Sequence, residues 1–325
     1  MASKKQFSFI IPHKNIPKLL ERCINSIPHR DDLEIIIVDD NSSPDIVDFS
    51  HFPGKDRENT TVIFDKSGKY AGHARNLGLE SAQGKWILFA DADDFFNYCI
   101  NDILNEYEND DSDVIYFKAN SVDTDDYSAS DRANERLNLY IDHFQEDPEK
   151  YSNLLKYRCG EPWAKMIKKR LIDQNNILFE ESIINNDHRF SYILGYHTKK
   201  IKIDKRALYC VTTRSGSVSR NTTDNAILTR IRVFGEAELF FRSHNIPKYV
   251  YWDWHYKLLL NLYYSNKPLF KKSCDILRNA GFTDDDLNEG MLKNDLAYRN
   301  YIEKYYKVFL RYINRKKLSA GKKYI

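Results

Sequence analysis

The chain is short of the residues that would commit it to a disulfide-stapled, metal-caged or membrane-spanning class. Its 325 residues include five cysteines, Cys23, Cys99, Cys159, Cys210 and Cys274, and no two of them stand at a metal-ligand or redox spacing. An odd, scattered set suits a reducing compartment. No secretory leader is recognisable, so a cytoplasmic location is expected. No apolar run approaches the ~20 residues that cross a bilayer. An excess of one charge is missing too. The formal net charge is +2, so no global field favours nucleic acid, and RNA and DNA reader motifs are absent. No G-x-G-x-x-G follows an apolar run, which argues against a dinucleotide-binding protein. The first apolar run leads into Ile11-Pro12-His13-Lys14-Asn15, not into the glycine-rich, lysine-bearing loop expected of a sugar nucleotidyltransferase.

What remains is ample for a core. Hydrophobic residues make up 42% of the chain and aromatics 14%, enough for one large domain and a smaller one. The first half alternates strand and helix signals. Phe7–Ile11 is a short apolar run stopped by Pro12, and Asn15-Ile16-Pro17 has the form of a helix start. Leu33–Val38 reads as a buried strand ending in Asp39-Asp40-Asn41-Ser42. Thr61–Phe64 follows as a strand, Ala71–Ser81 as a helix and Trp86–Ala90 as another strand. This spacing predicts an α/β fold with a mostly parallel sheet flanked by helices. Ligands of such sheets sit beyond the carboxyl ends of the strands. Pro12, Asp40 and Asp91–Asp94 then share one rim. Residues 105–150 are rich in acid and read as a solvated excursion, apart from a strand at Val114–Phe117. Two further apolar runs cover Lys199–Ile203 and Ala207–Thr212. Beyond Asp224 helical periodicity takes over, so the expected division is 1–222 and a helical appendage at 223–325.

The most telling stretch is Phe89-Ala90-Asp91-Ala92-Asp93-Asp94, three carboxylates at a strand end. Their repulsion calls for a cation, and a hard divalent ion on oxygen ligands is the natural one. Such an ion also binds phosphate. A solvated turn or helix cap is the plain alternative. Lys66, Lys69, His73 and Arg75 surround Gly68 and Gly72, and a basic loop opening a helix suits a diphosphate. Arg75 has a second reading, as a structural partner of the acidic cluster. Gly78 permits close packing of helix on sheet.

Three stretches together resemble an inverting family 2 glycosyltransferase of the bacterial surface-polysaccharide type. They are Phe7–Asn15 with Val38–Ser42, then Gly68–Gly78 through Gly84 to Asp91–Asp94, then Trp163–Phe190. The resemblance implies a GT-A fold, Rossmann-like, and a nucleotide-diphosphate sugar donor of the uridine type. It also implies a divalent metal, Mn²⁺ or Mg²⁺. By its D-x-D motif, Asp93 is the implied metal ligand and Asp91 a donor-site residue. Pro12, Asp40, Lys69 and Arg75 complete the implied donor site, Arg75 within Ala74-Arg75-Asn76-Leu77-Gly78. Glu161-Pro162-Trp163-Ala164-Lys165-Met166 matches the family's Trp-x-Lys segment. It implies Trp163 in the acceptor pocket, with a core role as the alternative. Asn185-Asn186-Asp187-His188-Arg189-Phe190 matches Glu-Asp-x-x-Phe and implies Asp187 as general base, His188 being the runner-up and an ordinary structural role for Asp187, such as an N-cap, the plain alternative. Asn186 departs from the pattern, standing where Glu is common. Arg214-Ser215-Gly216-Ser217 matches an Arg-x-Gly-Ser segment that closes on the diphosphate or forms a plain turn. The basic tail, with no acid in residues 304–325, can lie on an anionic membrane surface, which would suit a lipid-linked glycan acceptor. A non-catalytic nucleotide-sugar binding or assembly protein is the alternative reading.

Overall fold

The computed structural model describes residues 5–130, 135–213 and 222–295. The chain divides into two compact units. The first comprises residues up to Thr222 together with Pro247–Val250, and the second comprises Thr223–Ile246 with Tyr251 onward.

The first unit is built on an eight-stranded sheet, in the order β3-β2-β1-β4-β7-β6-β8-β5. Strands β1 (Phe7–His13), β2 (Leu33–Asp40), β3 (Thr60–Asp65) and β4 (Trp86–Phe89) run parallel. β7 (Lys165–Lys168) joins antiparallel between β4 and β6 (Val114–Asp123). β8 (Ile201–Thr213) pairs parallel with β6, and the two-residue β5 (Phe95–Phe96) lies antiparallel at the edge. Every residue of β1 is buried, as a strand covered on both faces requires. Phe7, Phe9, Ile10 and Ile11 have no exposed surface, and each contributes roughly 1.5–3 kcal/mol by burial. Pro12 is tolerated inside β1 because pairing with β4 stops at Ile10↔Phe89, so its missing N–H falls past the ladder on that side.

Helices cover the sheet. α1 (Pro17–Asn25) starts with Pro17 in its first turn and buries Leu20, Cys23 and Ile24, an i, i+3, i+4 stripe. α2 (Tyr70–Ser81) leads into β4, and α3 (Ile100–Tyr107) precedes β6. Two expectations fail nearby. Residues 105–150 are not mainly a solvated excursion. β6 runs on to Asp123, α4 (Glu135–Asp142) buries Leu137, Tyr140 and Ile141, and α5 (Pro148–Arg158) begins within the stretch. Asp147 caps α5 by accepting from the Lys150 N–H at 3.0 Å. Acidic composition concealed a helical stripe that was present at 137, 140 and 141. The two apolar runs at 199–212 are a single strand, β8. The polar residues between them sit where the β6–β8 register shifts, at a bulge opposite Phe117–Ala119. α6 (Lys169–Gln174) and α7 (Asn186–His197) complete the unit's helices.

The second unit is helical where described. α8 (Asp224–Ser243) is capped by Thr223, and α9 (Trp254–Ser265) and α10 (Lys267–Ala280) pack with it around Leu228, Ile231, Leu259, Leu277 and Phe282. No described helix is long and apolar enough to cross a membrane. The Arg214–Ser219 segment and the basic tail of residues 304–325 lie outside the described residues.

Gly78 lets α2 approach the sheet, as a Cβ there would fall 2.4 Å from Cγ2 of the buried Ile10. Gly78→Ala should therefore lower stability by about 1–3 kcal/mol through overpacking, read as a lower urea midpoint.

Candidate functional site

The strand order turns about β1, with β2 and β3 on one side and β4 on the other. The crevice beyond the carboxyl ends of β1 and β4 is thus a topological switch point. Two acidic loops, after β2 and after β4, lie along this rim, and each carboxylate is treated differently.

At the end of β2, Asp39 is locked into the scaffold. It accepts from the Ser42 N–H at 3.0 Å, the Ser42 hydroxyl at 2.5 Å and His13 Nδ1 at 2.8 Å. The Ile16 N–H donates to His13 Nε2 at 3.1 Å, so Nε2 is the acceptor and Nδ1 carries the proton given to Asp39. Burial works to raise the Asp39 carboxyl, but the bonds from His13 and Ser42 outweigh it and hold the group below the usual carboxylate range. Asn15 stitches the β1 and β2 loops together, with its N–H donating to Ser42 Oγ and its side-chain oxygen accepting from the Ser43 N–H, both at 2.8 Å. Asn15 and Asn41 occupy the left-handed region (φ 57° and 55°), which Asn tolerates better than most residues.

Asp40, one residue on, is only 4% exposed and is incompletely satisfied. Lys14 Nζ reaches its Oδ2 at 3.2 Å, while the buried Oδ1 finds no hydrogen-bond partner within the protein. A buried oxygen of this kind costs about 1–3 kcal/mol unless a donor from outside the protein reaches it.

After β4 the acidic loop splits by role. Asp94 is 3% exposed, and its two oxygens accept from the Thr212 N–H at 2.7 Å and the Tyr209 hydroxyl at 3.0 Å. The same Tyr209 oxygen accepts from the Asp91 N–H at 2.8 Å. Burial pushes the Asp94 carboxyl well above its ordinary value, and the charges of Asp91 and Asp93 add to this. The Asp93 carbonyl accepts from Thr212 Oγ1 at 2.6 Å and from Arg22 of α1. Asp94 is therefore the loop's anchor to β8, while Asp91 and Asp93 remain partly exposed. Of the three carboxylates read as one cation cluster, Asp94 is thus taken up by the fold.

Arg75, in α2, is 5% exposed. Its Nη2 pairs with Asp91 Oδ1 at 2.6 Å and its Nη1 donates to Asn186 Oδ1 at 2.9 Å. Of its two readings, the structure shows the pairing with the acidic loop. Lys69 pairs with Glu181 at 3.6 Å, and His73 Nδ1 lies 2.7 Å from the same carboxylate. Asp187 sits in the first turn of α7, where the helix dipole favours a negative charge. It lies near enough to the acidic loop that, after burial and the Asp93 charge, it helps raise the Asp91 carboxyl, with Arg75 opposing.

Trp163 is buried rather than open. It is 6% exposed and stacks on Tyr209, ring centroids 5.4 Å apart and planes within 10°. The Lys165 ammonium, 3% exposed, donates to the carbonyls of Cys159 at 2.8 Å and Glu161 at 2.6 Å. This holds the turn that carries Trp163. Burial pushes Lys165 below its ordinary value, and the Asp187 charge is among those opposing it.

With this geometry in hand, comparison with known proteins is decisive at the level of family. The profile of Glycosyl transferase family 2 matches residues 8–172. The chain belongs to this family. Among its relatives, the uncharacterized glycosyltransferase EpsJ of Bacillus subtilis is 22% identical over 243 residues, 73% of this chain and 70% of EpsJ. A GalNAc(5)-diNAcBac-PP-undecaprenol beta-1,3-glucosyltransferase of Campylobacter jejuni is 37% identical over 92 residues, 27% of this chain and 30% of that one. In structure, the chain is similar to Staphylococcus aureus TarS 1-349 in complex with UDP-GlcNAc. The TM-score is 0.57 at 17% identity, covering 91% of this chain and 92% of that one. The fold is GT-A, as the resemblance implied.

For this family 2 member, several residues that shape the site gave no signal in sequence. Tyr209 and Thr212 lie inside an apolar run, and Arg22 is one cation among many on helices. Only their reach to the acidic loop distinguishes them. His13 was legible as part of Pro12–Asn15, but not as the partner of Asp39.

Because the folded Asp39 carboxyl is held below the usual range, its stabilisation is complete above that range and is lost as pH falls through it. Asp39→Asn should cost about 1–3 kcal/mol at neutral pH. The gap in melting temperature between wild type and variant should narrow as the pH is lowered.

Proposed function

We propose that the chain transfers a sugar from a nucleotide-diphosphate sugar, of the uridine type, to a hydroxyl of a glycan or lipid-linked glycan, with inversion at the anomeric carbon. The observation that carries this reading is the hydrogen-bonded path from Asp91 through Arg75 to Asn186. It brings the acidic loop and the helix start bearing Asp187 to one crevice, though they lie far apart in sequence. In the proposed complex, Asp40 Oδ1 accepts from uracil N3–H or a ribose hydroxyl, the donor it lacks within the protein. Asp187 takes the proton of the acceptor hydroxyl as its oxygen attacks the anomeric carbon from the face opposite the diphosphate.

The acidic loop also suits a metal. Among the described residues no three His, Cys, Asp or Glu side chains are grouped to cage an ion. Mn²⁺ or Mg²⁺ in sites of this class takes one or two carboxylates and completes its shell from substrate phosphate and water. Asp93, beside an Asp91 burdened by like charge, would hold such an ion, whose charge would neutralise the departing diphosphate. The TarS complex with UDP-GlcNAc supports the uridine donor, and the undecaprenol-linked acceptor in the Campylobacter relative's name supports a lipid-linked one. Such an acceptor would bring the enzyme to the inner face of a membrane during surface-glycan assembly.

A thermal-shift screen of nucleoside diphosphates and nucleotide sugars with Mn²⁺ tests the donor, and uridine nucleotides should give the largest rise. Asp40→Ala should weaken UDP binding roughly 10–100-fold, the loss of one hydrogen bond to a charged group. Asp187→Ala should lower transfer by about 10²–10⁴-fold and leave UDP binding intact. Wild-type turnover in Asp187→Ala overturns the base assignment. Binding without any release of nucleoside diphosphate from wild type would favour a non-catalytic binding protein instead.

A further inference from the structure

Helix α2 receives the segment that leads into α7. The Asn76 side chain pairs with the Phe179 backbone in both directions, Nδ2 donating to the carbonyl at 3.0 Å and Oδ1 accepting the N–H at 2.9 Å, as a neighbouring strand would. Gly72 leaves room for the Glu180 carbonyl, since a Cβ there would fall 2.0 Å from that oxygen. The strongest link is Arg75. Its guanidinium lies over the Phe179 ring, 5.3 Å from the centroid, with one Nη on Asp91 and the other on Asn186. Guanidinium is planar and rigid, so the two acceptors are held at a separation the group itself dictates. Asn186 is the first residue of α7, and Asp187 is the next.

We propose that Arg75 is a positioning residue, a strut that fixes the base-bearing end of α7 relative to the donor-side carboxylate Asp91. Asn186 fits this role as it stands. A neutral amide oxygen accepts from Arg75 without competing for its charge, which stays with Asp91. A Glu at this position, the family's usual residue, would draw the guanidinium into a second ion pair. The proposal rests on the reading in which Asp187 is the base.

The test uses the full chain and the UDP-sugar that wild type turns over fastest. Asn186→Ala removes the α7 end of the strut and leaves the Arg75–Asp91 pair in place. Arg75→Lys replaces the rigid two-pronged fork with a single flexible ammonium. Circular dichroism checks that each is folded. Both should lower kcat roughly 10–100-fold, as misplacement by about 1 Å does, while the Kd for UDP with Mn²⁺ stays within about twofold. The deciding measurement is a double-mutant cycle with Asp187→Asn. Asn186→Ala should cost little further residual rate on that background, because the group it positions is already disabled. Independent, multiplying losses would overturn the strut, and so would an effect confined to UDP affinity, which would make Arg75 a diphosphate ligand. Wild-type turnover in Asp187→Asn alone would remove the base assignment and the strut with it, an outcome separate from failure of the cycle.

Discussion

Carboxylates gathered at the carboxyl ends of β2 and β4, on either side of β1, repel one another, and much of the first unit is arranged to contain that repulsion. Each group is handled by its own chemistry. Asp39 is satisfied by a neutral histidine and a serine, and so is spent on structure. Asp94 is buried and held by the Tyr209 hydroxyl and the Thr212 N–H. Asp91 is offset by a guanidinium. Asp40 keeps one oxygen without a partner in the protein. The rim therefore holds carboxylates satisfied by the protein's own donors beside Asp40, which keeps an unpartnered oxygen. A uniformly solvated acidic turn would need none of these devices.

The supports come from behind the rim. β8 reaches the acidic loop through Tyr209 and Thr212, α1 reaches it through Arg22, and α2 reaches it through Arg75. Tyr209 ties two parts of the site together, since its hydroxyl bridges Asp91 and Asp94 while its ring carries Trp163. Trp163 thus belongs to the packing that steadies the acidic loop. Sites held within a fraction of an ångström generally need such a layer of support, because loops alone do not provide it.

How much of this was legible in sequence depended on which physical signal each part left. β1, β2 and β4 were readable because strands buried on both faces are continuous apolar runs, and β2 and β4 ended where the acidic motifs began. α4 was missed because it presents Leu137, Tyr140 and Ile141 amid charge, so composition outweighed periodicity. β8 read as two separate apolar runs because its bulge is filled by polar residues, and Asp204 there pairs with Arg206 and the Tyr107 hydroxyl. Inside the site, the residue types were legible and the partners were not. Asp91, Asp93 and Asp94 are alike in sequence. Their different fates are set by Tyr209, Thr212 and Arg75, whose distance along the chain leaves no local trace.

The unpartnered oxygen of Asp40 bears on how site and stability are linked. A buried carboxylate oxygen without a donor destabilises the folded state by about 1–3 kcal/mol. A ligand that supplies the donor removes that cost only in the folded chain, so its binding and the stability of the β1–β2 rim rise together. Asp39, its sequence neighbour, shows the opposite arrangement, three donors for one carboxylate and nothing left for a ligand. Two adjacent aspartates on one strand point to opposite faces of the sheet. That alternation is enough to give the first three donors from the protein and to leave the second with one oxygen that has none, and it accounts for why two adjacent residues of one type are treated differently at this strand end.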